Sequence, residues 1–175
     1  YTSRHSRRVC GISRAIASDL GLAPEEVEEI ENAALLHDVG KIHEEFAPLL
    51  QKAGKLTEAE WAIMKTHSAK SAELVSSFSR FQGYVVSCVR HHHERWDGRG
   101  YPDGIAGAEI PLGARIITIA DTIDAMTTNR PYRNALPVEV VLAELNKGRS
   151  TQFDESLVEL TISSMTVRRL IADPS

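Results

Sequence analysis

Cysteine is scarce in this chain of 175 residues, which holds two, Cys10 and Cys88. They lie far apart and lack zinc-type spacing. That argues against a disulfide framework or a thiolate cluster and for reduced, buried thiols in a cytoplasmic protein. Long hydrophobic runs are missing too. No stretch of about 18 apolar residues occurs, so no membrane span and no membrane contact are expected, and no secretory leader is visible. Strong charge of either sign is absent. The formal net charge is -4, so nucleic acid is not an expected partner through bulk electrostatics. An anionic small substrate stays open, because bound cations would reverse the sign locally. Strand-type alternation never lasts more than a few residues, and no repeat or low-complexity segment stands out.

What is present is ordinary in bulk: 42% hydrophobic and 25% charged residues, suited to one soluble domain over residues 1–175. The opening Tyr1-Thr-Ser-Arg-His-Ser reads like a helix already in progress, so the chain is expected to be a module cut from a longer protein. Val9, Ile12, Ile16 and Leu20 have helical spacing, ended by Gly21. Pro24, Glu25 and Glu26 open a second helix that runs to His37-Asp38, with Gly40 as its stop. Residues 41–56 read as a loop with a short helical turn at 47–51. Thr57-Glu-Ala-Glu60 is a capping box opening a helix through Trp61 to His67 and on to Val75. Further helices are expected at 81–93, at 114–126 with Asp121 and Asp124 embedded, from Pro137 to Gly148, and from an Asp154 cap onward. The expected fold is all-α, a bundle of about six to eight helices around one core.

Histidine and aspartate then stand out. Seven histidines occur, three of them consecutive at His91–His93 before a Gly-rich turn that ends at Pro102. Taken singly, each has an ordinary explanation: His5 as a surface residue, His67 as a dipole-favoured helix-end residue, Asp121 as the partner of Arg115 or Arg130. Together, His5, His37, Asp38, His67, His92, His93 and Asp121 suggest one inward-facing metal site. A carboxylate in as apolar a helix as the one around Asp121 is costly unless paired or metal-bound. Imidazole and carboxylate without thiolate favour iron, manganese, nickel, cobalt or zinc. The donors suit two ions. Asp38 would bridge; His5, His37 and Asp121 would complete one site, and His67, His92 and His93 the other. A bridging hydroxide and one open position would finish each, an arrangement made for attack on phosphorus.

These residues carry a resemblance. His37-Asp38-Val-Gly-Lys41 is similar to the signature of HD-domain phosphohydrolases. His92-His93-Glu94-x-x-Asp97-Gly98-x-Gly100-Tyr101-Pro102 resembles that of the HD-GYP subfamily, as do, in order, the segments 52–67, 110–116, 120–127 and 130–133. The resemblance spans nearly the whole chain. It implies an HD-type helical bundle with a buried centre of two divalent ions, iron or manganese foremost. It implies hydrolysis of cyclic di-GMP to linear pGpG and on to GMP. Another HD phosphohydrolase acting on a different cyclic dinucleotide, or a module that binds without turnover, are the alternatives. Asp38 and Lys41 would be catalytic, Lys41 by charge or proton donation at the phosphate. Tyr101, Arg130 and Arg133 would meet substrate, the arginines by forking onto phosphate or stacking on guanine, or else by pairing with acids such as Asp124. Asp124 would orient a ligand histidine, and Glu94 and Asp97 would brace the turn. Trp96 reads as packing. Upstream sensor or response-regulator domains, a GGDEF-type partner and a homodimer fit the same picture.

The sequence departs from the family pattern in places. Residues 42–48 replace the usual Gly-Ile-Pro-Asp-like run, and Ser68 stands where proline is usual. Tyr1 stands where some members place an acidic ligand for a third metal, which argues for two.

Overall fold

The computed structural model describes residues 3–129 and 134–172, and among these it is helical throughout, without a strand. Helix α1 (Ser3–Asp19) buries Val9, Ile12 and Ile16 along one stripe. It ends where Gly21 takes φ +74°, a left-handed conformation that suits glycine. Helix α2 (Pro24–Leu36) starts on proline, whose missing N–H costs nothing there. The Glu26 carboxylate accepts from the Ala23 N–H at 2.9 Å. Ile30, Ala33 and Ala34 of α2 are buried, and α1 is its main packing partner.

After α2 the chain tightens into 3-10 turns at Val39–Ile42 and Glu44–Phe46, then α3 (Ala47–Gln51). Gly40 does not stop the second helix as its position suggests; α2 already ends at Leu36. A Cβ at Gly40 would lie 2.5 Å from the Ser71 backbone nitrogen, so glycine there allows the turn to lie against the next helical layer.

Helix α4 (Glu58–Lys65) begins on the expected capping box. The Glu60 N–H donates to Thr57 Oγ1 at 3.3 Å, and the Thr57 N–H donates to the Glu60 carboxylate at 2.6 Å. The helix expected to run on to Val75 instead divides at Thr66. The Thr66 hydroxyl donates to the Ile63 carbonyl at 2.7 Å, so its side chain competes for a backbone acceptor of the helix end. Helix α5 (His67–Ser76) starts immediately afterwards, followed by α6 (Tyr84–His91).

Helix α7 (Leu112–Thr127) is the centre of the molecule. Ile116, Ile117, Ile119, Ala120 and Ile123 are fully buried, and α1, α2, α6 and α8 (Val138–Lys147) pack around it. The last expected helix divides at Ser164 into α9 (Glu155–Ser163) and α10 (Met165–Ala172). Ser164 Oγ accepts from the Val167 N–H at 3.0 Å and donates to Asp19 at 2.5 Å, so it caps the new helix and ties it to α1. No helix is long and apolar enough to cross a membrane among the described residues.

Candidate metal centre

Five elements deliver the metal-type side chains to one place. α1 brings His5, the end of α2 brings His37 and Asp38, α5 opens on His67, the exit of α6 carries His92 and His93, and α7 contributes Asp121. The donors form two groups. Asp38, His67, His92 and His93 each offer one ligand atom within 4.8 Å of the others, and so do His5, His37 and Asp121. The two carboxylate oxygens of Asp38 divide between the groups. Oδ1 lies 3.2 Å from His67 Nε2 and 3.9 Å from His92 Nε2. Oδ2 lies 3.5 Å from His37 Nε2 and 3.7 Å from His5 Nε2.

The imidazoles are aimed by their outer nitrogens. Nδ1 of His37 donates to the Ala34 carbonyl at 2.6 Å, Nδ1 of His67 to Met64 at 2.7 Å and Nδ1 of His92 to Val89 at 2.7 Å, each three residues back. A carbonyl only accepts, so those nitrogens carry the proton and, in the neutral ring, Nε2 presents a lone pair. His5 is aimed differently. Its Nδ1 lies 2.8 Å from Asp124 Oδ2, the carboxylate–histidine pairing that commonly orients a ligand ring.

The donor set fits cations. Nε2 of His67 lies 3.3 Å from His92 Nε2 and 3.1 Å from His93 Nε2, and His5 Nε2 lies 3.3 Å from His37 Nε2. Lone pairs this close repel unless positive charge sits among them. Asp38 Oδ1 is buried without a hydrogen-bond partner among the described residues, although His67 Nε2 lies close by. A buried charge left so is costly in a folded protein. Burial opposes ionisation of Asp38, but His37, His5, His67 and Lys41 hold its carboxyl well below the usual range. Burial drives His92 well below an ordinary histidine, with His93, His37 and His67 adding to it, and burial and His67 do the same to His93. Both rings are thereby kept neutral and able to ligate. Burial lowers His5, but hydrogen bonds to Asp124 and Asp38 and the fields of Asp121 and Asp124 outweigh it and raise it to about 9.

The remaining expected residues fall into distinct positions. Lys41 Nζ bonds Asp38 Oδ2 at 2.7 Å, so its charge is at the centre. The Tyr101 ring stacks on His93, 4.8 Å between centroids at 25°, and forms part of the wall. Glu94 is buried and its Oε1 accepts from the Asp103 and Gly104 N–H groups at 2.7 and 2.9 Å. Asp97 is held by Arg95 at 3.0 and 2.7 Å and accepts from the Arg99 N–H. A Cβ at Gly100 would fall 2.4 Å from the Arg95 nitrogen, so the turn lies directly on the exit of α6. His91 points away from the donors, with Nε2 2.9 Å from Asp103 and Nδ1 2.8 Å from the Ser87 carbonyl. His43 and Glu44 are exposed. Trp96 has the Arg115 guanidinium 5.6 Å from its ring centroid, and Arg115 pairs with Asp154 at 2.6 Å rather than with Asp121. Arg130, Arg133 and Tyr1 lie outside the described residues.

One contributor was not singled out from the sequence. Arg8 donates through Nε to Asp124 Oδ1 at 2.5 Å and through a terminal nitrogen to Thr127 at 2.7 Å. Burial opposes the charge on Asp124, and His5 and Arg8 together hold its carboxyl below the usual range. The available signal was spacing: Arg8 lies three residues after His5, on the same face of α1. A cavity of about 270 Å³ opens beside this corner, lined by Arg4, His5, Arg8, Asp124, Thr127 and Asn129 among others.

Known proteins resemble this chain over most of its length. The HD domain family model matches residues 1–157. The cyclic di-GMP phosphodiesterase response regulator RpfG of Xanthomonas campestris is 45% identical over 159 residues, 90% of this chain and 42% of that protein. The 3′3′-cGAMP-specific phosphodiesterase 3 of Vibrio cholerae is 40% identical over 154 residues, 88% of this chain and 33% of that protein. Among solved structures, a HDG"Y"P protein from Bdellovibrio bacteriovorus superposes with a TM-score of 0.74 at 22% identity, covering 97% of this chain and 52% of its own. The chain thus spans less than half the length of these two curated relatives. By its matched span, the chain belongs to the HD domain family.

Proposed function

We propose that this chain is a metal-dependent phosphodiesterase that opens cyclic di-GMP to linear pGpG, with GMP as the product of a second cleavage. The observation that carries the reading is the division of Asp38 between two donor groups, one oxygen facing each. In this reading His5, His37, Asp38 and Asp121 hold one divalent ion, and Asp38, His67, His92 and His93 hold the other. Iron or manganese suits these nitrogen and oxygen donors. When bound, such a pair supplies an activated water as nucleophile and neutralises charge on the phosphoryl oxygens.

The protein's own residues have the complementary tasks. The backbone carbonyls behind His37, His67 and His92 keep the ring protons on the far nitrogens, so the ligand face stays free of protons. Asp124, held by Arg8, aims His5 through its Nδ1. Lys41, beside Asp38, places a positive charge where the phosphate enters and can give a proton to the leaving alkoxide. Tyr101 covers His93 and narrows that side of the site. Arg130 and Arg133 would fork onto phosphate or stack on guanine. Sensor or response-regulator domains joined upstream, a GGDEF-type partner and self-association belong to the same proposal.

A second substrate is favoured by one specific finding, the 40% identity to a protein named as specific for 3′3′-cGAMP. The test treats both. Protein reconstituted anaerobically with manganese or ferrous iron is incubated with cyclic di-GMP, 3′3′-cGAMP or cyclic di-AMP, and products are separated by chromatography. Conversion of cyclic di-GMP to pGpG is the expected result. Binding without turnover under either metal would replace the enzyme by a nucleotide-sensing module.

A further inference from the structure

Beside His93 lies a second pocket of about 280 Å³, lined by Trp61, Lys65, His93, Arg95, Arg99 and Tyr101 among others. His93 belongs both to this pocket and to the donor group around Asp38. The pocket thus opens beside the centre, with Tyr101 at the border between them.

The walls have a particular chemistry. Trp61, on α4, is 47% exposed, an unusual setting for so large an aromatic side chain. Its ring meets Tyr101 edge-on, 6.4 Å between centroids at 83°, and Tyr101 in turn stacks on His93. Three rings thus lead outward from the centre and end on an open indole face. The charges are equally one-sided. Arg95 is held by Asp97 through both carboxylate oxygens. The Lys65 ammonium and the Arg99 guanidinium bond no carboxylate among the described residues; Asp97 lies within electrostatic reach of Arg99 but is already engaged by Arg95. In a chain of net charge -4, cations held beside a bare aromatic face suit an anionic, planar ligand. The pocket is small, about 280 Å³, so it suits one part of a cyclic dinucleotide rather than the whole. Both flanks are tied by local bonds: the capping box closes the start of α4, and Glu94 accepts from the turn, which packs closely at Gly100.

We infer that this pocket is the subsite for the half of a cyclic dinucleotide that is not being cleaved, its base on Trp61 and its phosphate between Lys65 and Arg99. The inference rests on the phosphodiesterase reading above. It adds recognition residues that stand outside the donor groups.

The test measures binding apart from turnover. A hydrolysis-resistant phosphorothioate analogue of cyclic di-GMP is titrated calorimetrically into manganese-loaded protein, wild type and the variants Trp61→Ala, Trp61→Phe and Lys65→Met/Arg99→Gln. Trp61→Ala and the double variant are expected to bind about tenfold more weakly, with Trp61→Phe close to wild type. Manganese content and turnover of bis(p-nitrophenyl) phosphate, which has no second nucleotide, should stay within about twofold of wild type in every variant. Variants that bind the analogue as wild type does would overturn the subsite, as would a wild type without affinity. The two readings fail separately. Trp61-dependent binding with no product from cyclic di-GMP itself leaves the subsite standing and sinks the phosphodiesterase; product formation with Trp61-independent binding does the reverse.

Discussion

At the scale of single residues, Asp38 carries the most. A carboxylate whose two oxygens face different donor groups cannot be lost from one without the other. Asp38→Ala is expected to lower bound manganese from about two ions per chain to well under one, with loss of phosphodiesterase activity; elemental analysis of the purified variant checks it, and retained two-ion content would exclude the bridging role. Asp124 acts one step further out, on His5. Asp124→Asn should weaken the ion of the His5 group by about 10–100-fold while sparing the other, read by competition with a metal-sensitive dye. These residues were legible because they are polar groups in apolar helical stretches, where an unpartnered side chain is expensive. Asp124 could be read as an orienting residue from its place three positions after Asp121. Arg8 escaped because a lone arginine on an amphipathic helix looks like ordinary solvated surface, and its target lies 116 positions away.

At the scale of elements, glycines set how closely layers meet. Gly40→Ala would drive a methyl group to 2.5 Å from Ser71 N and 2.7 Å from the His67 carbonyl. The turn after Asp38 must then move from α5, at a cost of about 1–3 kcal/mol, seen as a lower Tm together with weaker metal binding. The Gly98–Pro102 turn makes a different prediction. Hydrogen bonds from Arg90, and then from His91, outweigh slight burial and bring Asp103 down to about 2. A carboxyl lower in the folded chain than in the unfolded one adds stability above about pH 4 that is lost as the pH falls towards 2. This pair is largely exposed and screened, so the effect is small. The Tm gap between wild type and Asp103→Asn should be open at pH 7 and nearly closed at pH 2.5. Helix starts were readable here because caps are local, as at Thr57 and Asp154. The breaks at Thr66 and Ser164 were not, because each depends on a hydroxyl choosing a backbone or cross-chain partner that only the packed fold supplies.

At the scale of the whole molecule, the centre joins α1, α2, α5, α6 and α7, so ions bound there cross-link most of the core. Manganese at about 100 times its dissociation constant adds about 2.7 kcal/mol per site. For a chain of this size that raises Tm by about 5–10 °C, reversible by chelator and measurable by calorimetry. The all-α architecture was readable because amphipathic periodicity repeats along the chain. The meeting of five elements at one point follows from tertiary packing, which periodicity does not encode; costly polar residues in apolar helices suggested it, and the likeness of the motifs to a known family supported it.

The placement of His5 has a consequence in time. Asp38, His67, His92 and His93 are all in hand once residue 93 has been made. The other group waits for Asp121, and the carboxylate that aims His5 lies 119 positions after it. During synthesis the members of the three-histidine group are therefore all translated while His5 still lacks Asp121 and Asp124. The group that holds His5, the earliest donor, is thus the last to have all its members, and both groups wait for α7 to pack.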